Sequence, residues 1–407
     1  MHSLKSLFRV GPGPSSSHTI APSLAAASFF KRIMPKETDR IAVTLYGSLA
    51  LTGAGHATEK AIEKELIGIP TTFERNLSQQ IPHQNYFKFE AYHLDEKLAE
   101  ASYISVGGGE LFSSEDPSVN ESDVYSFSNF SALKEAAGDD IKSFCESHEQ
   151  LHDYLSFIVG KMFETIERGI QADGMIDPPN CPRLKMPKVA KKLYQSASNI
   201  KAEDERAEML ISAYAYAVAE ENATGGEIVT APTCGSAGVL PAVLYHAYHD
   251  QGIPFDKIVD SLYIAGMIGN VIKQNASIAG ATGGCQAEIG SASAMAAAAL
   301  AYCHDLSPHQ QEYAAECALE HFLGLTCDPV EGYVIVPCIE RNGIGALRAY
   351  NAYLFAKHIA PLRQNVVSFD NVVSAMKITG DSLSKDYKET AQGGLADVLG
   401  RGRDTNC

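Results

Sequence analysis

The stretch from Ile289 to Cys303, IGSASAMAAAALAYC, constrains this chain more than any other. Almost every residue in it is small, Ala is the best helix former, and small side chains let neighbouring helices approach closely. It predicts a buried central helix with other helices packed around it. The flanking sequence has the matching period. Leu151, Leu155, Ile158, Met162 and Ile166 fall on one helix face, as do Ile258, Leu262, Ala265 and Ile268, and, less strictly, Ile344, Leu347, Asn351 and Leu354. The first 150 or so residues read differently. Ile41 to Tyr46 (IAVTLY) is a β-rich run, Tyr86 to Leu94 alternates loosely, and Ala101 to Val106 leads into Gly107-Gly108-Gly109. Helical patterns cover Pro22 to Met34 and Thr58 to Leu66. The expected fold class is therefore α+β: an N-terminal mixed α/β domain over residues 1–147, followed by a larger all-helical domain over 148–407. No internal repeat is visible.

Charge and cysteine content limit what such a chain does. Over 407 residues, 33 Lys and Arg face 49 Asp and Glu, a net charge of −16. That balance argues against a nucleic-acid surface and against an anionic-membrane anchor. Ile228 to His249 carries no formal charge for 22 residues, but Pro232, Pro241, Gly235 and Gly238 interrupt it, which argues against a membrane span. The N-terminal MHSLKSLFRVGPGPSSSHT has no apolar signal core. Nine cysteines, an odd number without dense spacing, do not read as a secreted disulfide framework. A reducing cytoplasm is the expected location, where thiols are free, catalytic or metal-bound.

Five places carry possible chemistry. Gly11 to Thr19 (GPGPSSSHT) is an irregular loop of donors ahead of a helix, suited to a carboxylate but equally readable as a Ser N-cap. In Tyr46 to Thr58 (YGSLALTGAGHAT), His56 is flanked by small residues after a strand, as a general base needs; a lone His is more often simply hydrogen-bonded. Glu221 to Leu240 (ENATGGEIVTAPTCGSAGVL) breaks regular structure inside a helical region, leaving backbone groups for a ligand or for neighbouring helices. Cys234 lies there without a partner at metal-ligand spacing. Cys285, Cys327 and Cys338 sit among Gly and Pro, which places them on loops; their separations of 42 and 11 match no zinc ribbon or ferredoxin run, and buried free Cys is common. Cys407 ends a polar tail, GRGRDTN.

Together these segments resemble the iron–sulfur-dependent L-serine dehydratases over nearly the whole chain. The resemblance rests on GPSSSHT at 13–19, YGSLALTGAGHAT at 46–58, ENATGG and TAPTCGSAG within 221–238, and GATGGCQAEIGSA at 280–292. LGLTCDPVEGYVIVPCIERN at 323–342 and ETAQGGLA at 389–396 complete it, all in family order. It implies a [4Fe–4S] cluster on Cys285, Cys327 and Cys338, with one iron free to act as a Lewis acid in the loss of water from L-serine. A positioned base then removes the Cα proton; His56 is the expected base and His18 the competitor. Ser15, Ser16, Ser17 and Thr19 are expected to hold the substrate carboxylate or orient His18, and Asn222 to line the pocket. Arg341 is a possible bidentate carboxylate clamp on chemical grounds alone. In the family a cysteine near the C-terminus folds back onto the open iron. Cys407 is its counterpart, although the run from Gly393-Gly394-Leu395 to this Cys is longer than the family pattern. A homodimer is a further family expectation, and the partners are otherwise small molecules.

Three alternatives stand beside this reading. A pyridoxal-phosphate enzyme also dehydrates serine, but Gly107-Gly108-Gly109 has no accompanying Lys motif. The others are a catalytically silent iron–sulfur redox sensor and a serine-binding regulatory protein.

Overall fold

The structure, a computed structural model, describes residues 1–34, 37–77, 80–179 and 181–401. It has the expected α+β class. A five-stranded sheet carries the strands in the order Thr71–Asn76, Arg40–Tyr46, Tyr86–His93, Glu96–Gly107 and Glu110–Phe112. The first two strands are parallel, and the segment joining them carries two helices, Gly47–Thr52 and Thr58–Glu65; the remaining pairs are antiparallel. In Arg40–Tyr46 alternate residues are buried, the pattern of a sheet with one face covered. Ala21–Ile33 and Thr58–Glu65 supply residues to the sheet's core, which holds Phe29, Phe87, Phe89 and Tyr103. Phe29 stacks on Phe89 with ring centroids 5.3 Å apart, and Phe87 on Tyr103 at 5.8 Å, pairs worth about 0.5–1.5 kcal/mol each beyond burial.

The small-residue stretch becomes the helix Ser291–Cys303, buried throughout except at Tyr302. Phe255–Asn275, Pro308–Glu320, Cys338–His358 and Val239–Tyr245 all pack against it. The approach is close enough for Ser293 Oγ to donate to the Gly345 carbonyl at 2.9 Å. One amphipathic expectation is corrected here. On Cys338–His358 the buried residues are Ile339, Asn342, Gly343, Gly345, Ala346, Ala349, Ala352, Tyr353 and Ala356, whereas Ile344 and Asn351 are exposed and Leu347 and Leu354 half-buried. Most of the inward residues are small, which lets this helix approach its alanine-rich neighbour closely.

The two lobes interlock. Leu4, Leu7 and Phe8 join the helical core, as do Tyr125, Phe130 and Leu133, and Val10–Pro12 pairs antiparallel with Glu227–Val229. Gly107, Gly108 and Gly109 form the turn into the last strand at φ of +113°, +61° and +84°. A Cβ on Gly108 would lie 3.0 Å from the Pro232 carbonyl oxygen, so this turn docks the sheet onto the helical lobe rather than cradling a phosphate. No helix among the described residues is long and apolar enough to cross a membrane.

Candidate active site

The site forms where loops of both lobes meet. Ser15 caps the helical turn Ser16–Ile20, which runs directly into Ala21–Ile33; its Oγ accepts from the His18 backbone N–H at 3.2 Å. Ser15, Ser16, Ser17, His18 and Thr19 are all buried. Asn222 secures this loop by donating to the Pro14 carbonyl at 3.0 Å, and its Oδ1 is buried without a partner. His56 lies in the turn after Gly47–Thr52, and its carbonyl accepts from Thr19 Oγ1 at 2.8 Å. The two imidazoles are thereby brought together, ring centroids 4.4 Å apart.

Their environments differ. His18 Nε2 is 3.0 Å from Ser48 Oγ and 3.1 Å from Thr52 Oγ1. Ser48 donates its own proton to the Glu389 carbonyl at 2.8 Å, and Thr52 donates to the Ser48 carbonyl at 2.9 Å. Both hydroxyl protons are committed, so Nε2 carries the His18 hydrogen. Nδ1 then faces Ser15 Oγ at 3.3 Å and Glu389 Oε1 at 3.7 Å. His56 has neither nitrogen satisfied, although it is fully buried. Burial pushes the His18 pKa down to about 3, partly opposed by its interaction with the Ser48 backbone. Burial also holds His56 well below the usual imidazole value, and His18 adds to this.

The helical lobe contributes sulfur. Cys285 caps the turn Gln286–Gly290, which continues into Ser291–Cys303, and Cys338 is the first residue of Cys338–His358, so two of the three thiols open helices rather than sit in plain loops. Cys327 lies in an irregular segment clipped by residues near the C-terminus: its N–H donates to the Tyr387 carbonyl at 2.9 Å, and Glu389 N–H donates to its carbonyl at 2.8 Å. A hydrogen bond between Cys285 and Cys327, then the Arg341 charge, lowers the Cys285 pKa, while Cys327 is pushed well up by that same bond and by burial. Burial and the Cys285 charge push Cys338 up. Arg341 donates to the Thr326 carbonyl at 2.8 Å and lies 3.4 Å from Asp328 Oδ1, so its guanidinium braces the Cys327 segment. Cys407 lies outside the described residues.

Two carboxylates that the motifs did not single out stand in this site. Glu288 accepts from Thr233 Oγ1 at 2.8 Å and contacts Cys327 Sγ at 3.9 Å. A Cβ on Gly280 would lie 2.7 Å from Glu288 Oε2 and 3.2 Å from Cys327 Sγ, which is why this position takes a glycine. Glu389 reaches back between the lobes at φ +58°, with Ala391 at φ +56°, left-handed conformations that cost a non-glycine residue about 1–3 kcal/mol each. Ligand atoms of His18, His56 and Glu389 lie within 4.8 Å of one another, a grouping compatible with a metal ion. Both carboxylates were within sight in the sequence, Glu288 three residues after Cys285 and Glu389 opening ETAQGGLA. What hid Glu389 is that the pairing of residues 327 and 388, which delivers it to the site, is long-range.

Thiols of the helical lobe and an unsatisfied imidazole of the α+β lobe, linked by Glu389, which neighbours both, make an arrangement suited to binding and transforming a small molecule. The comparisons agree with that class and narrow it. The family model described as serine dehydratase beta chain matches residues 3–75, and that described as serine dehydratase alpha chain matches residues 56–396. The L-serine dehydratase TdcG of Escherichia coli (strain K12) is 37% identical over 450 aligned residues, covering 96% of this chain and 97% of that protein. An L-serine dehydratase of Helicobacter pylori (strain J99) is 37% identical, covering 98% of this chain and 99% of its own length, and one of Mycobacterium tuberculosis is 36% identical, covering 96% of each. The chain belongs to the serine dehydratase family, with the regions matching beta and alpha chains joined in one polypeptide.

Proposed function

We propose that the chain is an L-serine dehydratase, a lyase converting L-serine to pyruvate and ammonia, with a [4Fe–4S] cluster on Cys285, Cys327 and Cys338 and with His56 as the base. The observation that carries this reading is an imidazole with both nitrogens unsatisfied in full burial, in one site with three thiols. The donor set fits the cluster: three soft sulfurs, with Arg341 beside them to offset thiolate charge. When bound, the cluster supplies a Lewis-acidic iron for the serine β-hydroxyl. Cys407 is assigned as its displaceable fourth ligand.

The chain's own residues do the rest. The Ser15–Ser17 turn, at a helix N-terminus, takes the substrate carboxylate, and Asn222 holds that turn in place. Arg341, committed to Thr326 and Asp328, serves the cysteine segment first. His56 is kept neutral by burial, so its lone pair is available for the Cα proton across the physiological pH range. Thr19 fixes its backbone, and the His18 ring, locked by Ser48 and Thr52, fixes its place. Loss of water leaves an enamine, which tautomerises to an imine and hydrolyses to pyruvate and ammonia, with no net electron transfer. A cytoplasmic homodimer completes the reading.

The test is anaerobic purification with iron and sulfide analysis and a serine-to-pyruvate assay. Roughly four irons per chain and pyruvate formation are expected, and Cys285→Ala, Cys327→Ala and Cys338→Ala are expected to lose iron and turnover together. Cys407→Ala is expected to keep the iron and lose it faster in air. A cluster-loaded protein that makes no pyruvate would identify the silent redox sensor instead.

A further inference from the structure

The site binds an amino acid only if something meets its ammonium group, and neither the base nor the cysteines can do that. Glu389 is 7% exposed, and among the described residues no Lys or Arg pairs with it; the imidazole beside it, His18 with Nδ1 3.7 Å away, is neutral and supplies no counter-charge. Glu288 is less available, since Thr233 Oγ1 already occupies one oxygen and Cys327 Sγ approaches the other. Glu389 is held from several sides. Its backbone N–H reaches the Cys327 carbonyl, its carbonyl accepts from Ser48 Oγ, and its side chain takes the Ala281 backbone N–H. The carboxylate is thus fixed between the cysteine loop and the imidazoles, beside His56, whose nitrogens are buried and unpartnered.

We propose that Glu389 is the ammonium-binding residue of this site, pairing with the α-ammonium of the substrate while His56 faces the adjacent Cα–H. The geometry closes. An ammonium about 2.8 Å from a carboxylate oxygen carries its Cα one bond further on, and a reacting base stands about 3–3.5 Å from the carbon it deprotonates. The ligand atoms of Glu389 and His56 lie within 4.8 Å of each other, a spacing that admits both contacts at once. The same trio would suit a divalent cation, but His18 has its Nε2 hydrogen fixed toward Ser48 and Thr52 and its Nδ1 facing Ser15, leaving His56 as the imidazole with free valence.

This inference rests on the proposed dehydratase reading, and the test separates the two. L-Alanine and L-lactate share a skeleton, lack the β-hydroxyl and differ only in ammonium against hydroxyl. Their affinities for the cluster-loaded enzyme are measured by calorimetry and as inhibition of pyruvate formation. Wild-type enzyme is expected to prefer alanine by at least about thirtyfold, the size expected of a desolvated charge pair. Glu389→Gln is expected to bring the two within about fivefold while the visible spectrum of the cluster stays unchanged. Glu389→Asp, which keeps the charge, covers the case in which the Gln variant does not fold, and is expected to retain the preference for alanine. A Gln variant that keeps the wild-type ratio, a folded Asp variant that loses the preference, or a wild-type enzyme indifferent to the ammonium overturns the assignment. So does a tightly bound divalent ion on His18, His56 and Glu389. Absence of pyruvate from wild-type enzyme overturns the dehydratase reading itself.

Discussion

On the sheet side of the site, His18 and His56 are buried neutral, one saturated by hydroxyls and the other left open. On the helical side, two buried cysteines, Cys285 and Cys327, and the half-buried Cys338 stand beside a single guanidinium, and a carboxylate, Glu288, contacts Cys327. Neutral imidazole needs no counter-charge in a dry site, whereas thiolates do, and Arg341 alone cannot match three of them. The helical half therefore calls for added positive charge, while the sheet half needs none and lacks only a partner for His56. Changes on the two sides should fail differently.

The largest separation is expected between the two histidines. His56→Asn should lower kcat by about 10²–10⁴-fold, the usual worth of a general base, with iron content and visible spectrum unchanged. His18→Asn removes a fully bonded ring and should cost about tenfold or less, on the scale of one hydrogen bond. Steady-state kinetics on iron-matched samples decides it; the reverse order would move the base to His18. Loss of iron in His56→Asn would break the division between the halves.

A smaller effect is expected at Gly280. An alanine there meets Glu288 Oε2 and Cys327 Sγ at once, and overpacking of this kind costs about 1–3 kcal/mol. Because the strain falls on the thiol side, Gly280→Ala should release iron to a chelator faster than wild type while leaving the His56 chemistry of the loaded enzyme intact. Iron release followed by chelator absorbance checks this, and an unchanged rate would show that the cysteine loop yields without loss.

These two halves were unequally legible in the sequence. The helical lobe declared itself, because a stretch of seven alanines and two serines in thirteen residues has one sensible home, and Ser291–Cys303 occupies it. The strands at 40–46 and 86–93 were also readable, the first from its β-rich run and the second from its loose alternation. On Cys338–His358 the period of Ile344, Leu347 and Leu354 does not mark the buried face, because most of the residues that pack inward are small. At the site, His18, His56 and the three cysteines stood out through their Gly, Ser and Pro surroundings. Glu389 did not, because its place depends on the pairing of Cys327 with Lys388 and on the Ser48 hydroxyl, contacts that no local pattern encodes.

The smallest effect concerns acid stability and tests whether the sheet half is neutral. Folded His18 has its pKa pushed down to about 3, against about 6.5 when exposed in the unfolded chain. Between those values the unfolded chain binds a proton there that the folded one refuses, so this residue makes stability fall as pH drops below about 6.5, with a limiting slope of about 1.4 kcal/mol per pH unit. His56 acts in the same direction. Glu288 and Glu389, both raised by burial, act in the opposite direction, since their unfolded carboxyls ionise first as pH rises. Total stability therefore hides the histidine contribution, and a difference measurement is needed. Urea melts of wild type and His18→Asn at pH 7, 6 and 5 should show the wild-type advantage shrinking toward acid. An advantage that grows instead would mean that His18 is buried as a cation paired with Glu389, which would remove the contrast between the two halves.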